Sequence, residues 1–592
     1  MLCLLSIYIC IRKRRRFITF IHKRLKAYYL LDVNRNAQKR SFSASHILPT
    51  IAAMQTALSL PTTSISTNQI LTYSTVALAL IGLFGWLGYM PVDNRSDEAR
   101  RGLVALEMVL SGNYIVPTLN GQPYLNKPPL FNWLIAASFH LFGRFDSLAL
   151  RLPMALSWVG YTLTIFWVVR RATGNAALAL RVALMVALCA RIWFYETLLG
   201  LIDLTFSWVI FGLLSSLYLF DRRGHYGWLY GSVYGLGVVA FLLKGLPAFV
   251  FVGLSLSVWF VATGRWRLLL HPAHAGGLLL AALVLGTYYA AYFQRSPVPA
   301  ADVLGRLVSE SAKRTPAVRG WRETGLHLLT FPGEFMMHFA PWTLLMPLLW
   351  WRSVRRWLLR DSYTRFCWLM FWGNIWVYWV SPEVYARYVL MLLPLLYVVL
   401  AQAYALPWQR LRQVRNRIET IWLVALLLGP VALLVALQHP ATRALPQLPL
   451  LAAVGIPILL AVAYGYARQP AHRFAYIFLF LVLVRLFFNE TVLPGRRVSR
   501  ERYRMSNEAA ARQTLGQPVW AEANTFADAV ATDVNSFYVS ATRRVILPKT
   551  PVIRPGQLYI MDSVRAVRYP HRVVARILLF KDHPAWVVEI GH

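Results

Sequence analysis

Long apolar runs alternate with short polar stretches from Leu71 onward. The runs are Leu71–Met90, Leu152–Val169, Val182–Tyr195, Leu204–Phe220, Trp228–Leu243, Leu246–Ala262, Ala275–Phe293, His338–Trp351, Phe366–Val380, Tyr388–Leu406, Thr420–Leu437, Leu448–Tyr466 and Phe474–Phe488. A helix needs roughly 20 apolar residues to cross a hydrocarbon core of ~30 Å, so the pattern predicts about 13 transmembrane helices, several of them short. Leu130–Phe142, at ~13 residues, is too short to cross and reads as a juxtamembrane or dipping helix.

Hydropathy falls after Pro494. Val519-Trp-Ala-Glu522, Phe537-Tyr-Val-Ser540, Arg544-Val-Ile-Leu547 and Leu558-Tyr-Ile-Met-Asp562 read as short strands, with helices near Glu508–Leu515 and around Phe526–Asn535. These elements predict a small extramembrane α/β domain over residues 494–592, after a membrane core over 71–493. Residues 1–70 are basic and, between Ser41 and Gln69, rich in Ser and Thr without an acidic residue. They read as a disordered tail, or as sequence upstream of a true start near Met54, in preference to an organelle transit peptide.

Composition agrees with a polytopic membrane protein: 57% of the 592 residues are hydrophobic and 14% aromatic. A formal net charge of +36 would suggest nucleic acid if it were gathered on a soluble domain. Instead most basic clusters fall in every second connection: Arg170-Arg171 with Arg181, Arg222-Arg223, Arg265 and Arg267, Arg352 to Arg365, Arg410 to Arg417, and Arg468 with Arg473. The loop 294–338 is basic as well, with Arg295, Arg306, Lys313, Arg314, Arg319 and Arg322, and long loops obey the rule less strictly. The alternation is the positive-inside pattern, with anionic membrane lipid and not nucleic acid as the partner. It places the amino end in the cytoplasm. The loop 91–130, the long loop 294–338 and the domain 494–592 then lie outside. The four cysteines, Cys3, Cys10, Cys189 and Cys367, show no spacing for a metal cluster or an exported disulfide.

The outer side collects Asp97, Glu98, Arg100, Lys127, Asp203, Lys244 and Arg387 at the aqueous ends of spans far apart in sequence. Cations gathered there suit a phosphate, and a carboxylate beside them can take a proton. Each residue also has a plainer explanation. Asp97 and Glu98 can cap a loop helix, and Arg100 and Arg101 can anchor to head groups; for Glu98 and Arg101 that is the preferred reading. Asp203 can cap the next span, Lys244 can snorkel, and Arg387-Tyr388 can be an interfacial pair. Lys127 precedes Pro128-Pro129, which fixes the entry to the following helix and so aims the lysine.

The order Asp97-Glu98-x-Arg100, Glu107-Met108, Ser111-Gly112-Asn113, Leu119-Asn120-Gly121, Tyr124, Lys127-Pro128-Pro129-Leu130 and Trp133 resembles the first outer loop of the bacterial lipid A aminoarabinose transferases. These belong with the protein O-mannosyltransferases among the polyprenyl-phosphate-sugar glycosyltransferases. Arg151-Leu-Pro153, Asp203, Leu242-Leu-Lys244-Gly245, Pro341-Trp342 and Arg387-Tyr388 extend the resemblance over roughly Leu71 to Pro394.

The resemblance implies a GT-C type α-helical polytopic membrane fold of about 13 helices in a bacterial inner membrane. It implies inverting transfer of a sugar from a polyprenyl-phosphate donor to a lipid, such as lipid A, or to a protein acceptor. By position, Asp97 is then the base or the acceptor-orienting carboxylate, and Asp203 supports acceptor or sugar. Lys127, Lys244, Arg387, Arg100 and Tyr388 line the substrate site. Asn126 stands where the aminoarabinose transferases usually carry a glutamate. An amide is a poorer ligand for a divalent cation than a carboxylate, so no metal or other cofactor is expected to be required. The alternative is a divalent metal held by His327 or His338, although a lone interfacial histidine is more often structural. Two readings compete with the enzyme: a transporter or flippase of a lipid-linked saccharide, and a noncatalytic assembly subunit.

Overall fold

All thirteen apolar runs coincide with helical segments in the structure, a computed structural model that describes residues 66–93, 97–312, 315–579 and 583–591. Apart from its last few residues, the basic tail lies outside the described residues. Among those described, nine helices are long and apolar enough to cross a membrane, and the bent pair Ala176–Ala187 with Ala190–Leu198 makes a tenth.

The other three expected spans account for the difference from 13. Pro247–Ala262 has only 16 residues. The run around Trp342 divides into a helix ending at His338 and a 3-10 segment, Trp342–Leu349, on either side of Pro341. Ser362–Trp379 is 18 residues long but rich in Trp and Tyr, whose polar edges lower its hydropathy. Ala386–Ala405 runs through the middle of the bundle and is buried along most of its length: Leu390, Leu393, Tyr397 and Leu400 are fully enclosed. Pro272–Phe293 and Gln409–Gln438 lie at the periphery, with Leu278, Leu279, Leu283, Leu428 and Val435 exposed as a lipid-facing surface requires.

The helices Asp203–Asp221 and Tyr226–Lys244 form an antiparallel hairpin, turned at Gly224 with φ 67°. This arrangement returns Lys244 to the end of the bundle where Asp203 begins. Leu130–Phe142 is a helix of 13 residues stopped by Gly143 at φ 63°, as expected of a helix too short to cross.

Two small strands, β1 (Thr118–Leu119) and β2 (Gln122–Pro123), pair antiparallel in the first loop. The C-terminal region carries β3 (Val519–Glu522), β4 (Lys549–Thr550), β5 (Leu558–Asp562), β6 (His571–Leu578) and β7 (Pro584–Ile590) in one sheet of order β4-β3-β5-β7-β6. β3 is parallel to β4 and β5, while β7 is antiparallel to β5 and β6.

Two expected strands here are not strands. Phe537 to Ser540 lies inside the helix Ala529–Arg543, because Val534, Phe537, Tyr538 and Ala541 form one helical face, at i, i+3, i+4 and i+7, turned to the membrane core. Arg544 begins a turn at φ 57°, and the paired strand starts only at Lys549. The hairpin β6–β7 is not legible in the sequence; its ragged burial and the bulge between Val573 and Ala575 blur the two-residue period.

Candidate functional site

The loop 91–130 is held by two buried carboxylates. Glu98 accepts from Arg151 through Nε (2.7 Å) and Nη2 (2.9 Å), and from the backbone N–H of Gly200 (2.6 Å) and Asp93 (2.7 Å). Arg151 donates its remaining protons to the carbonyls of Leu87, Met90 and Pro91. Burial pushes the Glu98 carboxyl up, but Arg151 and the backbone donors outweigh it and hold its pKa below the ordinary value. Glu98 therefore serves structure, not as the helix cap read from the sequence but as the partner of Arg151, and it locks the helix Glu98–Ser111 that carries Arg100 to the bundle.

Glu107, on the same helix, accepts from Thr118 Oγ1 (2.6 Å), Asn120 N (2.6 Å) and Gly121 N (3.2 Å). Burial pushes its pKa up to about 7 in spite of these donors. The β1–β2 hairpin that it grips turns through Asn120 (φ 52°) and Gly121 (φ 73°), the residue pair that suits such a turn. The Asn120 carbonyl accepts from Lys549 N (3.1 Å), which joins the hairpin to the C-terminal sheet.

A chain of ion pairs crosses the same end of the bundle. Lys244 Nζ lies 2.6 Å from Asp203 Oδ1, and Arg387 Nε lies 3.4 Å from Asp203 Oδ2. Arg387 Nη2 is also 3.9 Å from Asp97 Oδ2, and Arg100 Nη1 is 3.2 Å from Asp97 Oδ1. The Lys244 ammonium sits 4.1 Å over the Tyr388 ring, a cation–π contact that restricts where it can point. Lys127, Lys244, Tyr378 and Tyr388 share a cavity of about 260 Å³ with Glu310 and Glu383.

Several plainer readings fail on geometry. Asp97 stands at the N-cap of its helix but makes no capping hydrogen bond, and its side chain is 40% exposed. Asp203 is the first residue of its own helix and does not cap it either. Lys244 is paired and not snorkelling. Burial pushes the Asp97 carboxyl up, but Arg101, Arg100, Arg387 and Lys127 together hold its pKa below the ordinary value. Asp97 is thus an ionised carboxylate, partly open to solvent, with cations around it. Asp203, 5% exposed, is saturated by its two partners.

Two residues at this end escape the sequence reading. Asp533, from the C-terminal region, accepts from Arg100 Nε at 2.8 Å, so Arg100 bridges it to Asp97. Nothing in the sequence links positions 433 residues apart. Glu196 is buried and pairs with Arg191 Nε at 2.8 Å, and its other oxygen has no hydrogen-bond partner among the described residues. A carboxylate closing an apolar run was the available signal for it.

A divalent cation does not fit the donors present at Asn126. Its Oδ1 accepts from the Arg306 guanidinium at 3.1 Å, and among the described residues no group of three or more His, Cys, Asp or Glu is gathered for a metal. His327 Nδ1 donates to the Trp379 carbonyl at 3.1 Å, a structural bond.

Residues 126–289 match a family model described as dolichyl-phosphate-mannose-protein mannosyltransferase. Among curated proteins, the undecaprenyl phosphate-alpha-4-amino-4-deoxy-L-arabinose arabinosyl transferase of Shewanella sediminis is 36% identical over 110 residues, 18% of this chain and 20% of that protein. The same-named enzyme of Pseudomonas aeruginosa (strain LESB58) is 27% identical over 289 residues, 46% of this chain and 47% of that one. The matched region thus spans about half the relatives' length or less. Among solved structures, ArnT from Cupriavidus metallidurans bound to undecaprenyl phosphate superposes with a TM-score of 0.65 over 87% of this chain and 97% of that one, at 19% identity. The fold is therefore that of this solved structure, a polytopic helical membrane bundle, with a small C-terminal sheet domain, and the resemblance to these transferases read from the sequence stands.

Proposed function

We propose that this protein transfers a sugar, with inversion at the sugar carbon, from a polyprenyl-phosphate carrier to a lipid acceptor resembling lipid A, or to a protein, on the outer face of a bacterial inner membrane. The observation that supports this most is the convergence of Asp97, Asp203, Lys244 and Arg387, from four separate segments, into one line of ion pairs at a single end of the bundle.

The chemistry follows from the charges. The acceptor hydroxyl attacks the sugar carbon, the bond from that carbon to the phosphate oxygen breaks, and its electron pair leaves with the carrier. The phosphodiester becomes a phosphomonoester and gains negative charge, which Lys127, Lys244 and Arg387 offset in a poorly hydrated site. Asp97 orients the hydroxyl and receives its proton. A carboxylate held below its ordinary pKa is a weak base, so the transfer comes late, once the acceptor oxygen has begun to bond and turned acidic. Asp203 holds Lys244 and Arg387 in place, and Tyr388 restrains the ammonium. Arg100, tied to Asp533, fixes the position of Asp97 from the other side.

The donor half of the site is assigned to the 260 Å³ cavity lined by Lys127 and Lys244, and the C-terminal domain over residues 494–592 joins the loop where Lys549 N donates to the Asn120 carbonyl. The amino end is then cytoplasmic and the C-terminal domain periplasmic. A flippase would need a polar path along the spans, whereas this cluster sits at their ends.

The reading is tested by equilibrium binding of undecaprenyl phosphate to the purified protein. Lys127→Ala and Arg387→Ala should each weaken binding about tenfold or more. Binding that is unchanged in both folded variants would contradict the assignment of the phosphate site.

A further inference from the structure

A second cavity, of about 810 Å³, opens at the other end of the bundle. Its position follows from two helices. Ser147–Thr173 holds Arg151 against Glu98 near its start and reaches the cavity at Thr173, and Leu393–Ala405 starts beside Arg387 and reaches it at Ala405. The volume falls within the ~300–1,000 Å³ of small-molecule sites. Its walls combine two arginines with apolar side chains: Arg181 and Arg360 beside Leu178, Leu406, Trp357 and Trp408.

Among the described residues neither guanidinium pairs with a carboxylate. Arg181 is half-buried, its guanidinium 4.7 Å over the Phe474 ring, and Arg360 is exposed. The one acidic residue in the lining, Asp361, is engaged: its Oδ2 accepts from Thr364 N at 2.8 Å and Thr364 Oγ1 at 2.6 Å. Trp357 and Trp408 meet edge to face at 6.1 Å in this lining, and tryptophan is a residue enriched at membrane interfaces. Two guanidiniums without a carboxylate partner among the described residues, in a cavity whose lining is largely apolar and includes two tryptophans, suit a phosphate that carries acyl chains. This end also bears Arg170, Arg171, Arg222, Arg223, Arg355, Arg356 and Arg410, the cationic bias of a cytoplasmic face, whose leaflet is anionic.

We propose that this cavity binds the phosphodiester headgroup of an anionic glycerophospholipid in the leaflet opposite the Asp97 site, with Arg181 and Arg360 holding the phosphate and Trp357 and Trp408 flanking the glycerol. The site is separate from sugar transfer and does not rest on that reading. Its tie to the Thr173, Asp361 and Ala405 helix ends makes the bound lipid a clasp across the connections at this face.

Native mass spectrometry of the full chain in detergent, titrated with phosphatidylglycerol, phosphatidylcholine or inorganic phosphate, tests the site. Phosphatidylglycerol should fill one site at a concentration about tenfold below that needed for phosphatidylcholine. Arg360→Gln, at an exposed and unpaired position that spares the fold, should remove part of that preference. The double variant Arg181→Gln with Arg360→Gln should abolish it, and Arg181→Lys should keep most of it. Equal phosphatidylglycerol binding in the wild type and both glutamine variants would overturn the proposal. Displacement of the lipid by an equal concentration of inorganic phosphate would overturn it too, in favour of a soluble phosphate ester.

Discussion

Three acidic residues of the loop 91–130 do three different things, and burial with partners separates them. Glu98 has every oxygen satisfied inside the protein, Glu107 grips a hairpin, and Asp97 is left partly open among cations. Removing one partner of the Glu98–Arg151 pair strands a buried charge, so Arg151→Met should destabilise the protein by about 3–5 kcal/mol, read as a large drop in the thermal unfolding midpoint. An unchanged midpoint would show that the pair is not buried as described.

Asp533 carries a pH signature. Burial raises its pKa from 3.8 to about 6, against the pull of Arg100. A raised folded pKa means that its contribution to stability is present below pH 3.8 and is lost as pH rises through about 6. Asp533→Asn should therefore gain stability relative to the wild type as pH climbs across that window. The pH dependence of transfer should lose an inflection near 6 in the same variant. An inflection of the same size in both proteins would remove Asp533 from the Arg100–Asp97 chain. The sequence singles out Asp97, Asp203, Lys244, Arg387 and Tyr388 because a charge or a paired aromatic beside an apolar run needs a reason to be there, and the fold brings them to one end of the bundle. It does not single out Asp533, since its partner comes from tertiary pairing alone.

Among the elements, the apolar runs were legible because hydrophobic length is a local property. What blurred was whether each run is one continuous helix: prolines divide the run around Trp342, and the aromatic-rich Ser362–Trp379 is less apolar than its length suggests. In the C-terminal region the β-branched and aromatic Phe537-Tyr-Val favoured a strand by propensity. Packing of that face on the helix Glu98–Ser111 decided for helix, and Gly102 allows the approach, since a Cβ there would meet Phe537 at 3.1 Å and Leu150 at 2.5 Å. The β1–β2 hairpin gives the element-scale prediction. Gly121 has φ 73°, so Gly121→Val should cost about 1–3 kcal/mol and loosen the Lys549–Asn120 hydrogen bond. Hydrogen exchange at the Lys549 amide checks it: protection equal to the wild type would mean that the hairpin does not hold the sheet.

Across the whole molecule the two ends of the bundle differ in charge. The Asp97 end mixes carboxylates with cations, while the Arg181 end is dominated by arginine, and the alternation of basic connections foretold that polarity without saying which side chains would meet. Single cysteines introduced at Arg223 and at Gly320 should be labelled by a membrane-impermeant maleimide from opposite sides of sealed vesicles. Labelling from one side would refute the topology.

The central claim is that Asp97 and the cations around it carry out sugar transfer. Its most direct test is transfer from purified polyprenyl-phosphate sugars to lipid A in proteoliposomes, comparing the wild type with Asp97→Asn at equal carrier binding. The wild type should transfer the sugar and the variant should do so about 10²- to 10⁴-fold more slowly, with the unfolding midpoint preserved. Equal rates in the two proteins would contradict the claim.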